Sequence, residues 1–122
     1  KIASTYEECR AESTGLYLCL ESEALAVFGH GPAAEGEAVP DVVYVNWLDM
    51  SRKGLLGLEF FTPETGGWRQ AHMQARYVIL RVLLEAGEGL LELKTTTGED
   101  GTPDILITLN RALIPTVGKK AI

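Results

Sequence analysis

The residues from Trp68 to Ala86 constrain the fold of this chain more than any others. Trp68, Ala71, Ala75, Val78, Ile79, Val82, Leu83 and Ala86 recur at steps of three and four, the period of one helix face. Gly87 and Gly89 stop the pattern, because glycine takes the left-handed backbone that ends a helix at little steric cost. Beyond them the period changes to two. Leu91, Leu93 and Thr95 alternate with Glu92 and Lys94; Ile105, Ile107 and Leu109 alternate with Leu106 and Thr108. Gly98-Glu-Asp-Gly101 between the two runs reads as a hairpin turn.

Upstream, Ser4 with Glu7, or Thr5 with Glu8, has capping-box spacing, which predicts a helix from near residue 5 to about Leu20 despite Gly15. A short helical turn, Ser22–Phe28, follows, then a loop from Gly29 to Pro40 rich in glycine and proline. Asp41 is placed to cap Val42–Glu59. The spacing of Val42, Val45, Leu48, Leu55 and Leu56 favours a helix there, although Arg52 interrupts the stripe and Val42-Val-Tyr-Val45 alone would suit a strand. Pro63-Glu-Thr-Gly-Gly67 is a break, and the tail Arg111–Ile122 carries no recognisable terminal signal. The chain therefore reads as mainly α, helical over 5–88, with one C-terminal β-hairpin at about 90–110.

At 122 residues there is room for one domain, and 46% hydrophobic with 23% charged residues is an ordinary globular composition. The 17 acidic and 11 basic side chains leave a net charge of −6, which argues against nucleic acid as a partner. No apolar run approaches the ~20 residues of a membrane span, and no signal or transit segment opens the chain. A start at Lys1 suggests a piece of a longer protein. Cys9 and Cys19 would lie roughly 15 Å apart on one helix, beyond the ~7 Å a disulfide tolerates, so two free thiols and a reducing, cytoplasmic setting are expected.

Two groups of residues could carry chemistry. Glu7-Glu8-Cys9-Arg10-Ala11-Glu12 packs three carboxylates into six residues, with Glu8 and Glu12 one turn apart and Glu7 about 100° from Glu8. Their mutual repulsion turns into binding if a divalent cation is present: one carboxylate can ligate zinc while another orients a histidine ligand. Alternatively, Glu7 or Glu8 serves only the capping box and the helix dipole. On the later helix, Arg69, His72 and Arg76 fall at steps of three and four. Arginines on either side disfavour the imidazolium, and a neutral imidazole can donate a hydrogen bond to a developing oxyanion. The other reading is a solvated basic face. His30 sits in the Gly/Pro loop without a partner at ligand spacing, and H-E-x-x-H, P-loop, G-x-G-x-x-G and G-x-S-x-G motifs are absent from the sequence.

Tyr6-Glu-Glu-Cys-Arg-Ala-Glu-Ser13, followed by Gly15-Leu-Tyr-Leu-Cys19, resembles the second signature of the dipeptidyl peptidase III family. Val43-Tyr-Val-Asn-Trp-Leu48, Trp68-Arg-Gln-Ala-His-Met-Gln-Ala-Arg76, Val78–Gly89 and Thr96–Asp104 are similar to it as well, so the resemblance covers essentially the whole chain. It implies a zinc-dependent cytoplasmic exopeptidase that removes dipeptides from the N-termini of short peptides. It also implies a two-lobed body whose helical upper lobe holds the metal. By the same resemblance Glu8 is the zinc ligand, and Glu7 and Glu12 are acceptors for two ligand histidines. His72 then contacts substrate near the scissile carbonyl, and Arg76 is a further substrate contact.

The family's H-E-x-x-G-H helix, with two zinc ligands and the general base, is missing from these 122 residues and is expected before Lys1. One ligand cannot make a catalytic zinc site, so the chain alone is expected to lack peptidase activity and tightly held zinc. The expected partners are short peptides and the remainder of the parent chain, with self-association if the uncovered surface is apolar. A stand-alone, non-catalytic binding module derived from the same lobe is the other reading.

Overall fold

Two helices meet where a glycine replaces a side chain. The structure is a computed structural model and describes residues 2–122. The fold is carried by α1 (Ile2–Leu18), α2 (Ser22–Val27), α3 (Asp41–Leu56) and α4 (Ala71–Glu85). β1 (Phe61–Thr62) pairs antiparallel with β2 (Gly67–Trp68). β3 (Leu91–Thr97) pairs antiparallel with β4 (Pro103–Leu109), Leu91 opposite Leu109 and Thr97 opposite Pro103. Short helical turns run from Arg111 to Ala121. The mainly helical architecture with a C-terminal hairpin is the one the period change predicts. No helix of the described residues is long and apolar enough to cross a membrane.

α4 is the hub, packing against both α1 and α3. A Cβ at Gly54 would stand 2.6 Å from the Arg76 carbonyl oxygen and 2.7 Å from Leu80 Cβ, and one at Gly57 would stand 2.9 Å from the Met73 carbonyl oxygen. These glycines set how closely α3 and the turn after it approach α4. Because α4 is covered by two neighbours, its buried residues are Ala75, Ile79, Leu80 and Leu83, a wider and rotated face than the sequence stripe. Val78, expected to face the core, is 39% exposed. On α3 the helix is as read but its face is not. Val43, Trp47, Met50, Ser51 and Gly54 are buried at helical spacing, while Val45 and Leu56 are exposed. Gly54 belongs to the inner face because it sits against the Arg76 backbone, and the buried Ser51 hydroxyl is satisfied by donating to the Trp47 carbonyl at 2.9 Å.

Three boundaries move. α1 already runs at Ile2, so Ser4 and Thr5 lie inside it and cannot cap it, and the Thr5 hydroxyl instead reaches Gln74. Pro40, not Asp41, holds the cap position of α3, and Asp41 is its first residue. Trp68 belongs to β2, not to the long helix. Its ring meets Phe61 at 5.2 Å and Tyr77 at 5.5 Å, and Gln70 opens α4 by accepting the Met73 N–H. Ring contacts outweigh the helical spacing of Trp68, and the β1–β2 hairpin is an addition to the one hairpin expected.

The core gathers Leu16, Leu25, Val43, Trp47, Ile79, Leu83 and Leu90 with Ile114 from the tail. Gly118 lies against the Trp47 ring, where a Cβ would meet it at 2.8 Å. Arg111 ties the loop before α3 to the tail. Its guanidinium donates twice to the Val39 carbonyl, at 3.1 and 2.6 Å, and once to Asp41 at 2.8 Å, and it lies over the Tyr44 ring.

In the C-terminal hairpin Leu91 and Leu109 are buried at the base, and the far end projects into solvent. Its turn is held by Asp100, whose Oδ1 accepts from the Thr102 amide at 3.1 Å and hydroxyl at 2.6 Å. The Thr102 donors hold the Asp100 carboxyl below the usual aspartate range.

Two outcomes follow from these contacts. Gly54→Val should lower the thermal midpoint of unfolding, by the equivalent of about 3 kcal/mol or more, because rigid backbone stands where the new atoms would go. An unchanged midpoint would show that α3 and α4 can separate freely. For the turn, the ionised Asp100 contribution is complete above the ordinary aspartate pKa of about 3.9 and is lost as pH falls through the lowered folded value. The Thr102 amide resonance should therefore titrate with a midpoint below that of an unstructured aspartate, and the titration should vanish in Asp100→Asn.

Candidate functional site

α1 and α4 bring the two sequence candidates to one surface. Nδ1 of His72 lies 3.0 Å from Oε2 of Glu8 and 4.0 Å from Oε1 of Glu12. The same Glu12 oxygen accepts from Nε of Arg76 at 3.1 Å. Glu8 and Glu12 are one turn apart on α1, and His72 and Arg76 one turn apart on α4, so the pairing joins two helical rows. Glu12 and Arg76 are 22% and 23% exposed, whereas His72 is 46% exposed. The ion pair is thus sheltered beside an imidazole that solutes can reach.

Each position has a local cause. Glu8 and Glu12 fall on the side of α1 that ends in Leu16, the one buried residue of that helix. His72 sits in the first turn of α4, which Gln70 stabilises by accepting the Met73 N–H at 3.0 Å. Because α1 has no acidic residue in its first turn, neither the capping box nor the helix dipole explains Glu7 and Glu8. Glu7 does not join the group. It pairs with Arg10 at 2.8 Å, and both are exposed.

The charge argument for His72 changes as well. The nearest charged atoms to the imidazole are carboxylate oxygens, because Arg76 is engaged by Glu12 and the Arg69 guanidinium donates to the Glu59 carbonyl and lies over Phe60. Arg69 is engaged elsewhere, and Arg76 shares the Glu12 oxygen with the ring. With Nδ1 turned toward Glu8, Nε2 is the ring atom left to meet a ligand.

Among the described residues no group of three or more His, Cys, Asp or Glu side chains converges as a metal centre. A carboxylate oxygen such as that of Glu8 suits one corner of a zinc site, and the donor chemistry present fits a single ligand and its neighbours. Cys9 and Cys19 are unpaired thiols. A cavity of about 380 Å³ lined by Tyr6, Cys9 and Tyr17, among others, opens elsewhere on α1, and Glu8, Glu12, His72 and Arg76 do not line it.

Sequence reading missed the contact between Thr5 and Gln74, in which the hydroxyl donates to Oε1 at 2.7 Å across the α1–α4 interface. Thr5 gave a competing local signal as a cap, and glutamine in a helix carries none. His30 is exposed in its loop, as its isolation in sequence implies.

The model of peptidase family M49 matches residues 1–122. The chain is 63% identical over 122 residues to dipeptidyl peptidase 3 of Nematostella vectensis, covering 100% of this chain and 16% of that protein. Against dipeptidyl peptidase 3 of Homo sapiens it is 63% identical over 121 residues, 99% of this chain and again 16% of the relative. The Dictyostelium discoideum protein of the same name is 40% identical over 125 residues. The chain thus spans about one sixth of the length of the curated relatives it matches.

The Glu12–Arg76 pair is checked by a double-mutant cycle with Glu12→Gln and Arg76→Met, read by unfolding of the chain. A coupling of about 1 kcal/mol is expected for a partly sheltered pair, and strictly additive losses would mean that the two side chains do not interact.

Proposed function

The chain belongs to peptidase family M49, and on that footing we propose that its parent is a zinc-dependent exopeptidase that releases dipeptides from the N-termini of short peptides. The observation that carries this reading is the 3.0 Å approach of His72 to Glu8, which brings the acidic segment and the histidine helix to one surface.

In this reading Glu8 would be a zinc ligand, offering a carboxylate oxygen beside His72. Zinc, when bound, supplies Lewis acidity at the scissile carbonyl. Glu12, held by Arg76, is a fixed acceptor for the second ring N–H of a ligand histidine. Glu7 serves the same purpose once it leaves Arg10. His72, reachable from solvent, directs Nε2 at the substrate, where a hydrogen bond to the carbonyl oxygen strengthens as negative charge develops there. Arg76 donates Nε to Glu12 and Nη1 weakly to the Met73 sulfur at 4.0 Å, which leaves Nη2 for a substrate carbonyl.

The remaining ligands and the general base come from an H-E-x-x-G-H helix of the parent, since the 122 residues contain none. The outer surface of α1 supports this view of a piece set into a larger body. Ile2, Tyr6, Tyr17 and Leu18 are exposed large apolar residues, which favours burial against the remainder of the parent over a stand-alone binding module. Two unpaired thiols fit a cytoplasmic working place.

Zinc content and release of dipeptides test the reading. The 122-residue chain should show neither, and stoichiometric zinc with turnover would overturn the one-ligand view. In the parent, Glu8→Ala should remove both. His72→Ala should keep zinc and lower kcat about a hundredfold, the scale of one lost oxyanion donor.

A further inference from the structure

Thr5 and Gln74 have no part in the chemistry just described, yet they join the two helices that carry it. The Thr5 hydroxyl donates to Gln74 Oε1 at 2.7 Å, between residues 69 positions apart in sequence. Thr5 stands one turn before Glu8 on α1, and Gln74 stands two residues after His72 on α4.

The placement around α4 matters more than the bond by itself. Gln74 and Arg76 are two residues apart, so they leave the helix about 200° from each other. One reaches Thr5 and the other reaches Glu12, both on α1. The helices also pack against each other, with Leu16 of α1 and Ile79 of α4 in the common core, and apolar packing is non-directional and tolerates a small roll. Two hydrogen bonds on opposite flanks do not, because a roll that shortens one lengthens the other. With side chains about 5–6 Å from the helix axis, a roll of about 10° moves a side chain by about 1 Å. His72 lies between the two fixed flanks, in the turn that Gln70 also caps.

We propose that Thr5 and Gln74 are positioning residues, which fix the roll of α4 against α1 and so set the imidazole of His72 against Glu8. This rests on the peptidase reading for its effect on turnover and on geometry alone for its effect on His72. It also assigns the Thr5–Gln74 bond a role that a bond for stability alone would not have. Displacement of a reacting group by about 1 Å is enough to slow catalysis up to a hundredfold.

The test uses the parent protein, with a chromogenic dipeptide amide as substrate and the side-chain NMR resonances of His72 as a second readout. Thr5→Val, which keeps shape and removes the donor, should lower kcat about tenfold with KM within about twofold, and should shift the His72 resonances. Thr5→Ser, which restores the hydroxyl, should restore both. Gln74→Met should reproduce the kcat loss and His72 shift of Thr5→Val, and the double variant should lower kcat no further than either single one, since the Thr5–Gln74 bond is lost in all three. Should one variant fail to fold, the other carries the same readouts. Unchanged kcat with unmoved His72 resonances, a loss confined to thermal stability, or additive losses in the double variant would overturn the proposal. If the wild-type parent releases no dipeptides, the peptidase reading fails by itself. The His72 resonances of Thr5→Val and Thr5→Ser then still decide the positioning role.

Discussion

The rest of the structure depends on how closely α3 and the turn after it can lie on α4. Gly54 and Gly57 leave no room for a Cβ against the Arg76 and Met73 carbonyls, so the helices meet backbone to backbone. That approach leaves one flank of α4 to α3 and another to α1, and it fixes which residues of each helix are enclosed. Close packing of this kind transmits position: once α4 is seated, its first turn has a defined place relative to the acidic segment of α1.

The site inherits its electrostatics from that placement. Carboxylates of Glu8 and Glu12 face His72, while Arg76 of the same helix is paired with Glu12 and Arg69, just before the helix, donates to the Glu59 carbonyl. Glu12 serves two neighbours with one oxygen, 3.1 Å from Arg76 Nε and 4.0 Å from His72 Nδ1. A sheltered ion pair next to an exposed imidazole is a workable division: the pair resists screening, and the ring stays accessible.

Legibility differed along the chain for physical reasons. The long helix and the hairpin were readable because their periods are strong and the glycines between them are explicit. The helical character of α3 was readable, but its buried face was not, since it includes Ser51 and Gly54, and Gly54 is enclosed for its small size against the Arg76 backbone, not for hydrophobicity. Trp68 fitted the helical stripe by spacing, yet ring contacts with Phe61 and Tyr77 hold it in a strand. Thr5 imitated a cap signal while serving a partner 69 residues away. The Arg111 clasp on the loop before α3 left no trace in local sequence at all.

By itself the sequence determined the four helices and the C-terminal hairpin, the family signature, and the candidates Glu8, Glu12, His72 and Arg76, because periodicity and motif spacing are local properties of a chain. Tertiary structure alone decided that Glu8 meets His72, that Glu12 takes Arg76, that Glu7 turns aside to Arg10, and that Thr5 is bound to Gln74. Those are distances between separate helices. They depend on the depth and roll of packing, which no pattern within one helix encodes.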